Sequence, residues 1–165
     1  MNTYKNFLPK KTFKKMQSYL MSDHFSWYFS NCVSVGDNFF QFTYIFLNER
    51  GINCSEEMMN LIKPLLLKIG SNKFYHIKAN LLTKTDNIVE HGFHTDYDEG
   101  CKQFNGKTAV YYINTCDGYT KFKNGKKIKS EENKLIEFNT KIKHTGSSCT
   151  DKKRRVVLNL NYEFI

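Results

Sequence analysis

Proline is scarce in this chain, with Pro9 and Pro64 the only two in 165 residues, and the nine glycines follow no repeat. A Pro-rich or Gly/Ser-rich linker is therefore excluded, and the length favours one domain over residues 1–165. Acidic residues are also few, 16 against 25 Lys and Arg, which leaves a net charge of +9 and a pI of about 9.2. Such a surface attracts nucleic acid, acidic protein or anionic small molecules, and a plain Lys-rich solvated face gives the same count. None of the five cysteines (Cys32, Cys54, Cys101, Cys116, Cys149) forms a Cys-x-x-Cys, so neither a zinc ribbon nor a thioredoxin-like motif is supported. No run approaches the roughly 18 apolar residues of a membrane span. The stretch from Met1 to Lys15 is basic and lacks the apolar segment of a signal peptide. These absences lead us to expect no membrane partner and a reducing, cytoplasmic setting.

What is present is aromatic: 14 Phe and 10 Tyr within an apolar share of 40%, enough for a packed core. The spacing of Phe13, Met16 and Leu20 predicts an amphipathic helix over about Lys11 to Ser22. Ser55 is placed to cap a second helix, with Glu56 and Glu57 in its first turn, Gly70 beyond its end, and Pro64 predicting a kink or restart inside it. A β-rich stretch, Phe39–Phe46, precedes that helix. From Phe74 the pattern turns to strands, at Phe74–Leu82, Ile88–Phe93, Thr108–Asn114, Tyr119–Phe122, Lys134–Phe138 and Val156–Tyr162. With turns at Asn105-Gly106, Asp117-Gly118 and Asn124-Gly125, this spacing predicts a sandwich or jelly roll. The expected class is α+β, mainly β, with helical support over about 1–70 packed on one sheet of a core over about 74–165.

His94-Thr95-Asp96 stands at the end of an apolar-rich segment. Residues i and i+2 of a strand point the same way, so His94 and Asp96 can chelate one ion from a strand end. His144, just after the Lys134–Phe138 strand, can complete a set of two imidazoles and one carboxylate. That set holds one face of an octahedral Fe(II) and leaves the other face open; zinc competes for the same ligands. On the last strand, alternation puts Arg155, Val157, Asn159 and Asn161 on a polar face and Arg154, Val156, Leu158 and Leu160 on a mainly apolar one. Arg155 is thus the better placed to grip a carboxylate bidentately, with Arg154 the alternative.

Across residues 75–162 these motifs stand in one order: His94-Thr-Asp96, Tyr111-Tyr112-Ile113-Asn114, Asp117-Gly118-Tyr119-Thr120-Lys121-Phe122, Asn133 to Phe138, His144-Thr-Gly146 and Arg155 to Tyr162. In this the chain resembles the 2-oxoglutarate- and Fe(II)-dependent oxygenases of the prolyl 4-hydroxylase-like group, most of all the small ones that tailed phages encode. The resemblance implies a double-stranded β-helix, a distorted jelly roll. It implies Fe(II) held by His94, Asp96 and His144, with O₂ and 2-oxoglutarate as co-substrates and ascorbate as a candidate reductant. It assigns the distal carboxylate of 2-oxoglutarate to Arg155 and Tyr112. Where many relatives carry a tyrosine before the His-x-Asp strand, this chain has Leu82, so Asn80 joins the expected co-substrate contacts. Asp117-Gly118 replaces a Gly-Gly pair.

The activity implied is hydroxylation of a C–H bond, most simply on a prolyl or other side chain of a peptide or protein. A nucleic-acid demethylase or hydroxylase is the alternative enzyme, favoured by the charge. A non-catalytic basic jelly-roll binding module is the alternative outside enzymes. Tyr97–Lys107 reads as a substrate lid or as a surface loop. Oligomeric state is not legible.

Overall fold

The computed structural model describes residues 1–34, 36–96 and 106–163. The lid candidate Tyr97–Lys107 lies almost entirely outside these residues, as do Cys101 and the Asn105 half of one expected turn.

Among the described residues, eleven strands and two helices follow one another as β1 (Asn2–Tyr4), α1 (Lys10–Leu20), β2 (Tyr28–Ser30), β3 (Gln41–Asn48), β4 (Gly51–Ile52), α2 (Glu56–Ile69), β5 (Lys73–Thr83), β6 (Lys107–Tyr112), β7 (Tyr119–Phe122), β8 (Lys127–Lys129), β9 (Lys134–Asn139), β10 (His144–Gly146) and β11 (Arg154–Glu163). The larger sheet runs β1-β9-β6-β11-β5-β3-β2, with β4 paired to β3, and the smaller runs β10-β7-β8. Every strand pair is antiparallel. The N-terminal third is therefore not only helical support: β1 to β4 extend both edges of the large sheet.

The alternation expected on β11 holds. Val156, Leu158 and Leu160 join Ile77, Ala79, Ala109, Tyr111 and Leu135 in a core that Phe13, Met16 and Leu20 of α1 and Ile62 and Leu65 of α2 cover. Each of these large side chains, removed from water, contributes about 1.5–3 kcal/mol of transfer free energy. The opposite face of the same strands packs a second cluster, Val110, Tyr112, Ile136, Phe138 and Val157, against Phe122 of the small sheet. The two faces of one sheet thus do different jobs, one holding the helices and the other the interior of the roll.

Two expectations change. Ile88–Phe93 forms no strand; the segment meets the small sheet irregularly, through the bridge Glu90 to Ser147 and, just beyond its end, His94 to His144, with His91 N donating to Gly146 O and Glu90 accepting from Tyr119 and Lys121. One main-chain donor of the segment goes to a side chain instead of a ladder partner, Val89 N to Ser148 Oγ at 2.9 Å, and His91 Nδ1 pairs with Asp37 Oδ2 at 2.9 Å. Second, α2 runs through Pro64 without a restart. The carbonyl that Pro64 leaves without a helical donor is that of Asn60, an exposed residue, so water can satisfy it. The cap and stop expected at Ser55 and Gly70 are both present: the Ser55 hydroxyl accepts from Met58 N, and Gly70 is left-handed at φ 75°.

Among the described residues the cysteines are free thiols, and no helix is long and apolar enough to cross a membrane.

Candidate metal and anion site

β5 and β11 run side by side through the middle of the large sheet, pairing Leu82 with Arg155, Asn80 with Val157, Lys78 with Asn159 and His76 with Asn161. All eight side chains face inward and line a cavity of about 250 Å³ between the two sheets. His94, Asp96, Thr120, His144 and Gly146 close it from the other side.

At the Asn159–Asn161 end, His94, Asp96 and His144 each offer one ligand atom, all within 4.8 Å of one another. Asp96 Oδ1 lies 3.7 Å from His94 Nε2 and 3.6 Å from His144 Nε2. Both rings are set by main-chain carbonyls: His94 Nδ1 donates to Gly92 O and His144 Nδ1 to Ile142 O, each at 3.1 Å. That leaves the two Nε2 lone pairs turned to the same space as the carboxylate. Asp96 is in turn held by Asn159 Nδ2 at 3.3 Å and Asn161 Nδ2 at 3.2 Å. Burial opposes its ionisation, but His144, Thr108, His94 and Asn161 together outweigh burial and keep the carboxyl below its ordinary value. Burial pushes His144 down as well, against the pull of Asp96, which favours the neutral imidazole. Three acceptors thus converge with no donor between them, a donor set that suits a divalent cation.

Arg155 stands at the other end and is 3% exposed. Its Nε donates to Ser130 Oγ at 2.8 Å, Nη2 to Thr120 Oγ1 at 3.2 Å and Nη1 to Ser147 O at 3.4 Å. No carboxylate of the described residues forms an ion pair with it. Gly118 makes room for this side chain, since a Cβ there falls 2.7 Å from Arg155 Cδ and 2.6 Å from Ser148 O. Arg154 points to the opposite face, where Nη2 donates to Met21 O.

Tyr112 does not line the cavity. It lies beneath Arg155, with its ring 5.7 Å from the guanidinium carbon, and its hydroxyl donates to Thr120 Oγ1 at 2.9 Å. Burial pushes that hydroxyl up to about 12, Arg155 opposing. Asn80 does line the cavity, and its Oδ1 is buried without a hydrogen-bond partner, as is Asn159 Oδ1. Leu82 occupies the position across from Arg155 and brings no hydroxyl there.

The sequence reading gave no site role to Lys78, His76 or Ser130, and named Thr120 and Gly118 only within a motif and a turn. The first two had a visible signal: His76-x-Lys78-x-Asn80 places three polar side chains on one face of an otherwise apolar strand. For Thr120 the motif gave no role and for Ser130 there was no signal, because both contacts depend on which strands cross beside Arg155.

No protein-family model matches the sequence, and no curated protein matches it. Solved structures do match the fold. A Trichoplax adhaerens prolyl hydroxylase, solved with a peptide of the hypoxia-inducible factor oxygen degradation domain, superposes with a TM-score of 0.66 at 16% identity over 98% of this chain and 82% of its own. A Pseudomonas putida prolyl-4-hydroxylase gives 0.64 at 12% identity over 99% and 92%. The viral collagen prolyl hydroxylase of Paramecium bursaria Chlorella virus-1, solved with 2-oxoglutarate, gives 0.59 at 14% over 99% and 96%. The chain therefore has the jelly-roll fold of the 2-oxoglutarate- and Fe(II)-dependent oxygenases, prolyl 4-hydroxylases among them.

Proposed function

We propose that this protein is an Fe(II)- and 2-oxoglutarate-dependent dioxygenase that hydroxylates a C–H bond, on a prolyl or other side chain of a peptide or protein. The observation that carries the reading is a pair of complementary ends in one cavity. A buried arginine without a carboxylate partner among the described residues faces one end, and two imidazoles and a carboxylate converge at the other.

His94, Asp96 and His144 are the residues that would hold the metal. Fe(II) there supplies the O₂ chemistry, with 2-oxoglutarate oxidised to succinate and CO₂ as a substrate C–H bond gains a hydroxyl. The chain's own part is positional. Arg155 binds the distal carboxylate through two parallel N–H groups, while Ser130 and Thr120 fix its fork. Asn159 and Asn161 hold Asp96 in its ligating pose. The walls formed by Val110, Val157 and Leu82 keep the interior apolar between the polar ends. Tyr112 acts on the co-substrate by way of Thr120 and Arg155 rather than by touching it. The peptide reading draws support from the fold relatives, one of which was solved with a peptide bound.

A nucleic-acid substrate is the second reading. Phe93, beside His94, is 40% exposed, and Lys121 and Lys123 reach to 6.0 and 5.6 Å of its ring. An aromatic face flanked by cations suits a base and its phosphates.

The test uses Ni(II) as an ion that does not turn over. Calorimetry should show 2-oxoglutarate binding that requires both the ion and Arg155. Binding that ignores the ion, or no binding, contradicts the reading. Peptide and oligonucleotide pools, incubated with Fe(II), 2-oxoglutarate and O₂ and read by mass spectrometry, then separate the two substrates by which one gains an oxygen atom.

A further inference from the structure

Lys78 is a charged residue of the cavity for which the site described so far has no use. It projects from β5 directly across from Asn159, lines the cavity, and makes no hydrogen bond or ion pair with the described residues. Burial pulls its ammonium below the ordinary value, and Asp96 and Cys32 oppose this through space. Lys78 is half-buried, and a lysine held this way without a partner is uncommon, because partial loss of solvation goes uncompensated.

Charge counting shows what is missing. Asp96 is the only carboxylate among the described residues that line the cavity, and it faces Arg155 and Lys78. A divalent ion at the triad raises the excess to three positive charges, of which a dicarboxylate removes two. Lys78 lies on the same strand as Leu82, which pairs with Arg155, but four residues along it, a distance of roughly 13 Å at strand rise. It therefore attends the metal end of the cavity and not the Arg155 end. Two neighbouring acceptors, Asn80 Oδ1 and Asn159 Oδ1, lack donors, so whatever docks beside Lys78 also finds places for N–H or O–H groups.

We propose that Lys78 receives a second carboxylate at the metal end of the cavity, distinct from the one at Arg155. The proposal rests on the dioxygenase reading above. The carboxylate has two sources: the C1 group of 2-oxoglutarate itself, or an acidic group on the primary substrate close to the bond that reacts. The charge count favours the second, because the co-substrate alone leaves one positive charge unmatched. On that source the substrate class is an acidic side chain or an acid-bearing small molecule.

The experiment has two arms, each run by calorimetry on the Ni(II)-loaded full chain as wild type, Lys78→Met and Lys78→Arg. The first arm titrates 2-oxoglutarate and 4-oxopentanoate, which keeps the distal carboxylate and lacks C1. The second saturates the protein with 2-oxoglutarate and titrates N-acetyl-aspartate amide against N-acetyl-asparagine amide. If the co-substrate supplies the carboxylate, Lys78→Met weakens 2-oxoglutarate by about tenfold or more and leaves 4-oxopentanoate unchanged. If the substrate supplies it, 2-oxoglutarate is unchanged, the wild type prefers the aspartate probe by about tenfold or more, and Lys78→Met erases that preference. Lys78→Arg retains the effect in either case, which separates charge recognition from a folding defect; the wild-type aspartate preference needs no variant at all. Wild-type binding of 2-oxoglutarate with neither arm responding to Lys78→Met overturns the role of Lys78 and leaves the dioxygenase reading standing. No binding of 2-oxoglutarate to the wild type overturns both.

Discussion

Asn161 Nδ2 lies 3.2 Å from Asp96 Oδ2, so the last strand of the large sheet holds the carboxylate that follows His94 in a loop. The same amide reaches Thr108 Oγ1 on β6 at 3.0 Å. The position of Asp96 is thus fixed by β11 and β6 together and not by its own segment, which pairs with the rest of the protein through isolated bridges.

Asn161→Ala should therefore weaken metal binding by about 10- to 100-fold, the usual effect of removing a group that orients a ligand. A competition titration with Co(II) and a chromophoric chelator reads this directly. Unchanged affinity would place the control of Asp96 elsewhere.

Gly118→Ala should damage the anion end without touching a ligand. The new methyl group overlaps Arg155 Cδ and the Ser148 carbonyl, so the guanidinium must shift. We expect a loss of about 1–3 kcal/mol in thermal unfolding together with weaker 2-oxoglutarate binding. A variant that loses stability and keeps full 2-oxoglutarate affinity contradicts the placement.

Tyr112→Phe tests whether the tyrosine touches the co-substrate. Its hydroxyl donates to Thr120, so removing it should cost about 1 kcal/mol of stability and change 2-oxoglutarate affinity far less than Arg155→Ala does. Equal losses in the two variants would mean that Tyr112 reaches the ligand directly.

Glu90 supplies a pH prediction. Hydrogen bonds from Lys121, Tyr119 and Lys127 hold its carboxyl down at about 2, against 4.5 ordinarily. A carboxyl depressed on folding stabilises the folded state above its ordinary value, and the contribution disappears as pH falls from about 4.5 towards 2. Glu90→Gln should flatten the stability profile in that window, so that the variant lies slightly below the wild type at neutral pH, by an amount kept small by the exposure of the pair, and converges with it towards pH 2. Acid-range melting curves that superpose for the two proteins would rule this out.

The legible parts of the sequence were those where one face of a regular element does one thing. Alternation on β11 separated Arg155 from Arg154, and spacing found Phe13, Met16 and Leu20 on α1 and the capped start and stop of α2. His94, Asp96 and His144 were legible as types able to ligate, although only the fold brings them within 4.8 Å. The misread parts depend on partners remote in sequence. Ile88–Phe93 has the composition of a strand, yet its neighbours offer it isolated bridges. Lys78 passed as part of a basic chain because its place in the cavity is set by β11 and β3 on either side. The short strands β1, β2, β4, β8 and β10 carry too few residues to show a period.

The central claim is that one cavity holds Fe(II) at His94, Asp96 and His144 and 2-oxoglutarate between that ion and Arg155. Anaerobic titration of the metal-free protein with Fe(II) and 2-oxoglutarate measures it most directly, through the weak visible charge-transfer band of the chelate. The account predicts a saturable band in the wild type, none in Asp96→Ala, and in Arg155→Ala a band that needs more 2-oxoglutarate. No band in the wild type at saturating concentrations, or a band that survives Asp96→Ala, contradicts it.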